Sequence, residues 1–119
     1  MKKIILITKI IFIYFLFSQN VFSSSKDYFN VGKDLFDKKE YEKSKILFER
    51  DIIFNPKSTR SYLYLSKIFN IKDNEEEESI NLNNALLLDP VNDEAIYLLT
   101  LLKIKRSDYD SAKELIEKF

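Results

Sequence analysis

The strongest constraint on the fold of this chain is a phrase that occurs twice, 34 residues apart. IIFNPKSTRSYLYL at 52–65 and LLLDPVNDEAIYLL at 86–99 share an apolar run, an Asx-Pro pair, a polar stretch and a second apolar run. Repetition at a fixed interval of roughly 20–50 residues is typical of chains built from repeated supersecondary units. The interval therefore predicts a stack of similar units.

Columns of matching residues extend this repeat beyond the two prolines. When Pro56 is aligned with Pro90, apolar and small residues recur at the same interval. The columns are Tyr28/Tyr62/Ile96, Val31/Leu65/Leu99, the small residues Gly32/Ser66/Thr100, and the pairs Ile52/Leu86 and Phe54/Leu88. We therefore divide the domain at 24–119 into units 25–58, 59–92 and 93–119, the last of which is shorter by seven residues.

Each unit is predicted to be a pair of helices. Tyr41, Ser44 and Phe48 follow the three-and-four spacing that places residues on one helical face. Asn55-Pro56 ends the second helix, because the residue before proline is displaced from the helical region and proline has no amide hydrogen. One Gly and two Pro in 119 residues permit few tight turns, which favours long helices with short connections. The expected fold is all-α, an α-solenoid of stacked antiparallel helical hairpins.

Local signals support the helix starts and the contacts between helices. Ser58 or Thr59, and Asn92 or Asp93, stand where a helix N-terminus requires a side-chain acceptor. The small column that begins at Gly32 indicates close approach of the two helices of each hairpin, since bulky side chains would hold them apart. Because one hairpin cannot bury its own apolar face, stacking of the units is expected to form the core.

The first two dozen residues differ in character from the rest. MKKIILITKIIFIYFLFSQNVFSSS has two lysines after the initiator, an apolar run from Ile4 to Phe17 interrupted only by Thr8 and Lys9, and a polar end. This pattern predicts a signal peptide at 1–23, cleaved after Ser23 or, as second choice, two residues later. The run of 14 residues is shorter than the roughly 20 of a membrane-spanning helix, although an uncleaved anchor is the alternative. The expected location is periplasmic or secreted in a bacterial envelope, with inner-membrane anchoring as the alternative.

Composition excludes several classes of chemistry. Without His or Cys the chain has no imidazole base, thiolate nucleophile or transition-metal site of the usual ligands. Gly32 is the only glycine, which excludes a glycine-rich phosphate loop, and 19 basic against 19 acidic residues leave no basic excess for nucleic acid. The acidic run from Glu75 to Glu78 is interpreted as a solvated helix start, where free amide groups favour negative charge. We therefore predict no enzyme, no cofactor, no metal site and no nucleic-acid partner.

A further set of residues completes a recognisable motif within the period. An acidic residue and a tyrosine are followed three positions after the tyrosine by a small residue, as in Glu40-Tyr41 with Ser44 and in Asp108-Tyr109 with Ala112. Ala85 and the Asx-Pro pairs at the helix ends belong to the same motif. Together with the columns, these residues make 25–119 resemble the tetratricopeptide repeat (TPR).

The chain departs from the TPR pattern at the turn inside each hairpin. All three units lack the usual Gly there, and the middle unit has Asp73-Asn74-Glu75 in place of Gly, an acidic residue and Tyr. Asp73 and Asn74 tolerate the left-handed conformation that Gly supplies. We therefore expect a weaker turn at this position and an intact repeat.

The resemblance implies a partner-binding groove. TPR hairpins stack into a right-handed superhelix whose inner surface, lined by the first helix of each hairpin, binds an extended peptide or a partner helix. By register, the groove here would be aromatic with a basic edge, with Tyr64 and Lys67 at its surface. Phe29, Leu63 and Tyr97 have packing between repeats as the alternative role. The implied groove residues are Lys26, Phe29, Asn30, Lys33, Arg60, Leu63, Tyr64, Lys67, Tyr97, Leu98 and Leu101.

One TPR subgroup binds the acidic carboxyl termini of chaperones through a clamp of Lys, Asn and Arg. The matching positions here hold Phe29, Lys33, Tyr64, Glu94 and Leu98, which supply a single clamp charge. That activity is therefore not carried over. The expected function is an exported protein-interaction adaptor or scaffold. The alternatives are a self-assembling structural subunit and a membrane-tethered scaffold with an uncleaved N-terminal helix.

The last unit is expected to leave an apolar edge uncovered. Its first helix, predicted over 93–105, is apolar nearly all round, and such a helix requires cover on more than one side. The helix at 108–119 covers only part of it, and no polar-faced capping helix follows. We expect the chain to self-associate through this edge as a homo-oligomer. The edge would include some of Leu98, Leu101, Leu102, Ile104, Leu115, Ile116 and Phe119.

Overall fold

The computed structural model describes Met1 and residues 27–118. Within that part of the chain there are six helices and no strand. None of these helices combines the length and the apolar character needed to span a bilayer. Residues 2–23 of the proposed signal segment, Lys26 and Phe119 lie outside the described residues. The helices are α1 (Tyr28–Asp37), α2 (Tyr41–Phe54), α3 (Thr59–Ile71), α4 (Glu75–Leu88), α5 (Asp93–Lys105) and α6 (Tyr109–Glu117).

The helices pair as three hairpins that stack in chain order. Helix α1 packs on α2, α3 on α4, and α5 on α6, and the hairpins join through α2 against α3 and α4 against α5. Helix α1 also touches α3, so the first helices of neighbouring hairpins lie side by side. The prediction of an all-α solenoid of stacked hairpins is confirmed. Each helix pair falls within one of the units 25–58, 59–92 and 93–119.

Side-chain caps define most of the helix starts. Asn92 accepts a hydrogen bond from the Ala95 amide at 3.0 Å, and so occupies one of the two positions that the sequence indicated for α5. Asp27, Asn74 and Asp108 cap α1, α4 and α6 in the same way. Ser58 stands at the N-cap of α3 without a capping bond from its side chain. Its hydroxyl instead donates to the Asp51 carboxylate, which ties the start of α3 to α2.

The turn inside each hairpin has the same backbone geometry. Lys39, Asp73 and Ser107 have φ values of 62°, 55° and 59°, in the left-handed region. The amide of the following residue bonds back five positions, as from Glu40 to the Leu35 carbonyl at 2.9 Å, which is the pattern of a Schellman helix end. Of the two residues that tolerate the left-handed conformation, Asp73 adopts it, and the repeat is intact at this turn. Asn74 has φ −101° because it begins the next helix as its N-cap.

The small column marks a close contact between helices in the first hairpin. A Cβ at Gly32 would lie 3.0 Å from Phe48 Cε1 and 3.3 Å from Leu47 Cβ. The Ser44 hydroxyl donates to the Gly32 carbonyl at 2.7 Å across the same contact. Ser66, the next member of the column, is buried as well. The close approach predicted from Gly32 is therefore confirmed.

Two apolar clusters form the core, and both span hairpins. One contains Phe48 from α2 and Leu65 from α3, and the other contains Leu82 from α4 and Leu99 from α5. Leu65 and Leu99 are each 4% exposed, whereas Val31 in the same column is 52% exposed. Val31 differs because no described helix precedes α1 to cover it. Burial therefore follows from stacking, as expected of a solenoid.

Candidate functional site

The exposed and half-buried side chains of α1, α3 and α5 around Tyr64 and Leu98 form one surface, here called the first-helix face. Tyr64 lies at its centre. The Tyr64 ring centroid is 5.6 Å from that of Phe29, 5.1 Å from that of Phe36 and 5.0 Å from that of Phe48. Aromatic pairs at such separations stabilise the fold by more than the burial of their apolar area alone. Tyr64 is half-buried, so besides its predicted place at the groove surface its ring also joins the first two hairpins.

The basic edge predicted for this face is present, but neighbours hold most of its charges. The Arg60 guanidinium lies 3.9 Å from the Phe29 ring centroid. Lys67 Nζ lies 4.5 Å from the Tyr64 ring and 2.6 Å from Glu94 Oε1. Lys33 pairs with Asp37 at 2.8 Å, and that hydrogen bond raises the pKa of Lys33. Within the described part of the chain, Arg60 alone of these three cations has no ion pair.

The other predicted groove residues differ in how far their side chains are buried. Phe29 and Leu63 are each 6% exposed and belong to the two core clusters, so they contribute packing and little accessible surface. Asn30 is exposed beside its partner Asp27, and Leu98 is half-buried. The remaining two, Tyr97 and Leu101, are 62% and 45% exposed and line a separate depression.

A cavity of about 170 Å³ opens on the first-helix face. Side chains from α1, α3, α4 and α5 surround it, and it opens to solvent beside Asn70 and Ile71, which are exposed. We call it the central cavity. Sequence reasoning placed Lys67 and Leu98 on this surface, but it missed the other residues. The lining is Phe36, Ser66, Lys67, Asn70, Ile71, Glu78 and Leu98.

Glu78 is the least expected residue of the central cavity. It is 4% exposed, and Asn70 Nδ2 donates to its two carboxylate oxygens at 3.1 and 3.2 Å. Burial raises the pKa of Glu78. The interpretation of the acidic run as a solvated helix start holds for Glu76, which is exposed, but it is wrong for Glu78. The missed signal was the period, because Glu78 stands 34 positions from both Ser44 and Ala112, where small residues occur.

Ion pairs tie consecutive hairpins together near the inner turns. Lys105 Nζ lies 2.6 Å from an Asp73 oxygen and 2.9 Å from a Glu75 oxygen, and Arg106 Nε lies 3.0 Å from Glu75. Hydrogen bonds from Lys105 lower the pKa values of Asp73 and Glu75. No three potential metal-ligating side chains converge here or elsewhere among the described residues. The ion pairs connect the start of α4 and the turn before it to the end of α5.

A second depression, here called the C-terminal cleft, lies between α5 and α6. It encloses about 420 Å³ and is mostly apolar. Leu101, Ile104 and Ile116 at its rim are 45%, 44% and 62% exposed, in agreement with the predicted apolar edge. Leu102 is 2% exposed and lies in the core, so it is not one of the candidate residues that form this edge. The cleft is lined by Asp93, Ile96, Tyr97, Thr100, Leu101, Ile104, Leu115 and Ile116.

The chain resembles known proteins in its structure. No protein-family model matches the chain, and no curated protein matches it. Solved structures do match, in 33 chains. The Sgt2 TPR domain from Aspergillus fumigatus aligns with a TM-score of 0.69 and 23% identity over 81% of this chain and 64% of that one. A chain of the CopN–Scc3 complex aligns with a TM-score of 0.70 and 16% identity over 83% of this chain and 61% of that one.

These likenesses agree with the hairpin stack and the 34-residue period. The chain has the TPR fold, as the sequence motif predicted. It spans less than two thirds of the length of either matched chain, at 64% and 61%.

Proposed function

We propose that this protein is an exported interaction adaptor whose first-helix face binds an extended segment of a partner protein. The TPR fold and its likeness to a chain of a protein complex, CopN–Scc3, support an interaction role. The observation that carries the proposal is the central cavity, which opens between the first helices of three hairpins. A partner segment that runs across those helices would place a side chain in it.

The aromatic cluster under this face favours binding without rearrangement. Phe29, Phe36 and Tyr64 hold the first helices of two hairpins in fixed register. Arg60 and Lys67 lie over two of these rings and present nitrogen donors at the surface. A surface that is fixed before binding avoids the entropy of ordering side chains, which otherwise weakens association.

The test is selection from a displayed library of random peptides on the immobilised full chain. Ile71→Glu places a charge at the mouth of the central cavity, at a residue that is 50% exposed. The matched control is Ile46→Glu on α2, where the residue is 48% exposed and does not line the cavity. Peptides retained by wild type should be lost by Ile71→Glu and kept by Ile46→Glu. Equal loss with both variants, or no enrichment with wild type, would refute groove binding.

A double variant, Tyr64→Ala with Lys67→Glu, does not suit this test. Tyr64 contacts three other rings, so its truncation would remove packing between hairpins together with any binding surface. Lys67→Glu would also place two carboxylates together at Glu94. Loss of binding in that double variant would not distinguish a groove from a core.

Export is part of the proposal and has its own test. It is supported by the charged start, short apolar run and small-residue end of 1–23. Amino-terminal sequencing of the protein recovered from its native host should begin at Ser24. A protein that begins at Met1 in the membrane fraction would favour the tethered scaffold.

The C-terminal cleft favours a second candidate, self-association. Its rim residues Leu101 and Ile116 leave apolar surface in contact with water, and such patches mark interfaces. The full chain should sediment as a dimer or larger species below about 100 μM, where an association of roughly −6 kcal/mol becomes visible. Leu101→Glu with Ile116→Glu should give a folded monomer. Leu87→Glu, at a residue that is 82% exposed outside the cleft, is the control and should leave the mass unchanged.

A further inference from the structure

The small-residue column of the second helices has one exception. Ser44 and Ala112 occupy equivalent positions of the first and third units, and both are buried at contacts between helices. Glu78 stands at the same position of the second unit, with a side chain that is longer than that of Ser or Ala and is nevertheless buried. In the structure Glu78 is one of the lining residues of the central cavity, and its carboxylate lies against the side chain of Asn70, another lining residue.

The carboxylate of Glu78 has little compensation within the chain. An ionised carboxylate offers about four lone-pair positions, whereas among the described residues Asn70 Nδ2 alone donates to this one, at 3.1 and 3.2 Å. Lys105 and Arg106 act on it through space, but their nitrogen atoms are bound to Asp73 and Glu75. Within the described residues Glu78 has no ion pair.

The cation that also lines the cavity is held elsewhere. Lys67 Nζ is 2.6 Å from Glu94 and lies over the Tyr64 ring. It therefore fixes one wall of the cavity and does not neutralise Glu78. Burial of an ionised carboxylate whose one hydrogen-bond donor is a side-chain amide costs free energy unless a cation pairs with it.

The remaining walls suit the stem of a long side chain. Phe36, Ile71 and Leu98 are apolar and come from three different helices. The cavity of about 170 Å³ is more than ten times the roughly 10–15 Å³ that one water molecule occupies by the same measure. Lysine and arginine bury their methylene stems against apolar walls while their charged ends reach a polar partner.

From this geometry we infer that the central cavity is a subsite for a basic side chain, a lysine or arginine of the partner segment, with Glu78 as its counter-ion. The inference rests on the proposed function, because the basic residue belongs to the segment bound on the first-helix face. Asn70 is a positioning residue that holds the Glu78 carboxylate toward the cavity. The subsite selects which segments bind, by charge.

The test uses a small probe, so that it does not depend on finding the partner. N-acetyl-arginine N-methylamide is titrated into the isotopically labelled full chain and followed by NMR at the Asn70 amide and the Ile71 and Leu98 methyl groups. The neutral isostere, N-acetyl-citrulline N-methylamide, is titrated in parallel. We expect saturable shifts with the arginine probe, and binding of the citrulline probe weaker by roughly tenfold or more, the worth of one charged hydrogen bond.

Variants assign the effect to one carboxylate. Glu78→Gln should remove the preference for arginine over citrulline. Glu76→Gln, the matched control, removes the same charge from the same helical turn at an exposed residue and should leave the preference intact. Glu78→Ala, which restores a small residue as at Ala112, gives a second folded variant should the glutamine not be tolerated.

Three outcomes would overturn the inference. The first is equal binding of the two probes, and the second is an arginine preference that survives Glu78→Gln. The third is the absence of shifts up to about 50 mM, a concentration at which even an association near −2 kcal/mol would show. These failures are distinct from failure of the proposed function. Peptides selected by wild type, lost with Ile71→Glu and without a recurrent basic residue, would leave groove binding standing and remove the basic subsite.

Discussion

Substitution by glycine at the inner turns of the hairpins is expected to raise the free energy of unfolding. Lys39 and Ser107 have φ values of 62° and 59°, where a side chain costs about 1–2 kcal/mol relative to glycine. Both are exposed, and their side chains form no hydrogen bond among the described residues. Lys39→Gly and Ser107→Gly should therefore relieve strain without removing a contact.

The expected magnitude is smaller than the strain itself. Glycine increases the conformational entropy of the unfolded chain, which offsets about 0.5–1 kcal/mol at each site. The net gain in the free energy of unfolding is then about 0.5–1 kcal/mol per turn and about 1–2 kcal/mol for the double variant, since the two turns share no partners. For a domain of this size, Tm should rise by roughly 4–16 °C.

Thermal unfolding followed by circular dichroism at 222 nm, with urea titration for the free energy, measures the effect. Lys113→Gly is the matched control, because it makes the same substitution at an exposed residue inside α6. There glycine should cost about 1 kcal/mol. Asp73→Gly should gain less than Lys39→Gly, because Asp73 also pairs with Lys105.

The reasoning is refuted by one pattern of results. If Lys39→Gly and Ser107→Gly lower Tm as much as Lys113→Gly does, the residues at these turns are not left-handed in solution. The Schellman hydrogen bonds after Lys39 and Ser107 would then also be absent, and these two turns would differ from the turn at Asp73.

Four further substitutions, one of them at an exposed residue for comparison, test the packing and charge of the interior. Gly32→Val should destabilise by about 1–3 kcal/mol in urea titration, because a Cβ would already lie 3.0 Å from Phe48; an unchanged midpoint would contradict the close contact. Glu78→Gln should become more stable relative to wild type as pH rises from 4 to 7, since burial raises the pKa of Glu78 and the folded state therefore loses stability as pH rises through that pKa. A difference that stays constant across this range would count against burial of the charge. Leu102→Glu should cost more than about 3 kcal/mol because the residue is 2% exposed, whereas Leu101→Glu at 45% exposure should change stability by less than about 0.5 kcal/mol; similar effects of the two would show that α5 is rotated from this placement.

The candidate surface was only partly predictable. Lys67 and Leu98 were assigned to it from the repeat register, and both line the central cavity. Asn70 and Ile71 were missed because their exposure depends on the angle between neighbouring hairpins. Tyr64 was placed at the surface from its register, but rings from α1 and α2 cover much of it.

By itself the sequence determined the hairpin period, the ends of the helices and the positions of the turns. Those features depend on interactions a few residues apart, such as the bond from Asn92 to the Ala95 amide and the missing amide hydrogen of Pro56. Local physical chemistry is legible in a single chain because the interacting groups are neighbours in it.

The tertiary structure alone decided which residues of a helix are covered. Leu101 and Leu102 are adjacent and equally apolar, yet their exposed fractions are 45% and 2%, because Leu102 belongs to the core cluster that residues of α3 and α4 also form. Glu78 belongs to a run of four identical residues, and it alone is enclosed, by side chains from α1, α3 and α5. Burial is a property of atoms that meet from distant parts of the chain, so the stacking of hairpins sets it and the local pattern does not.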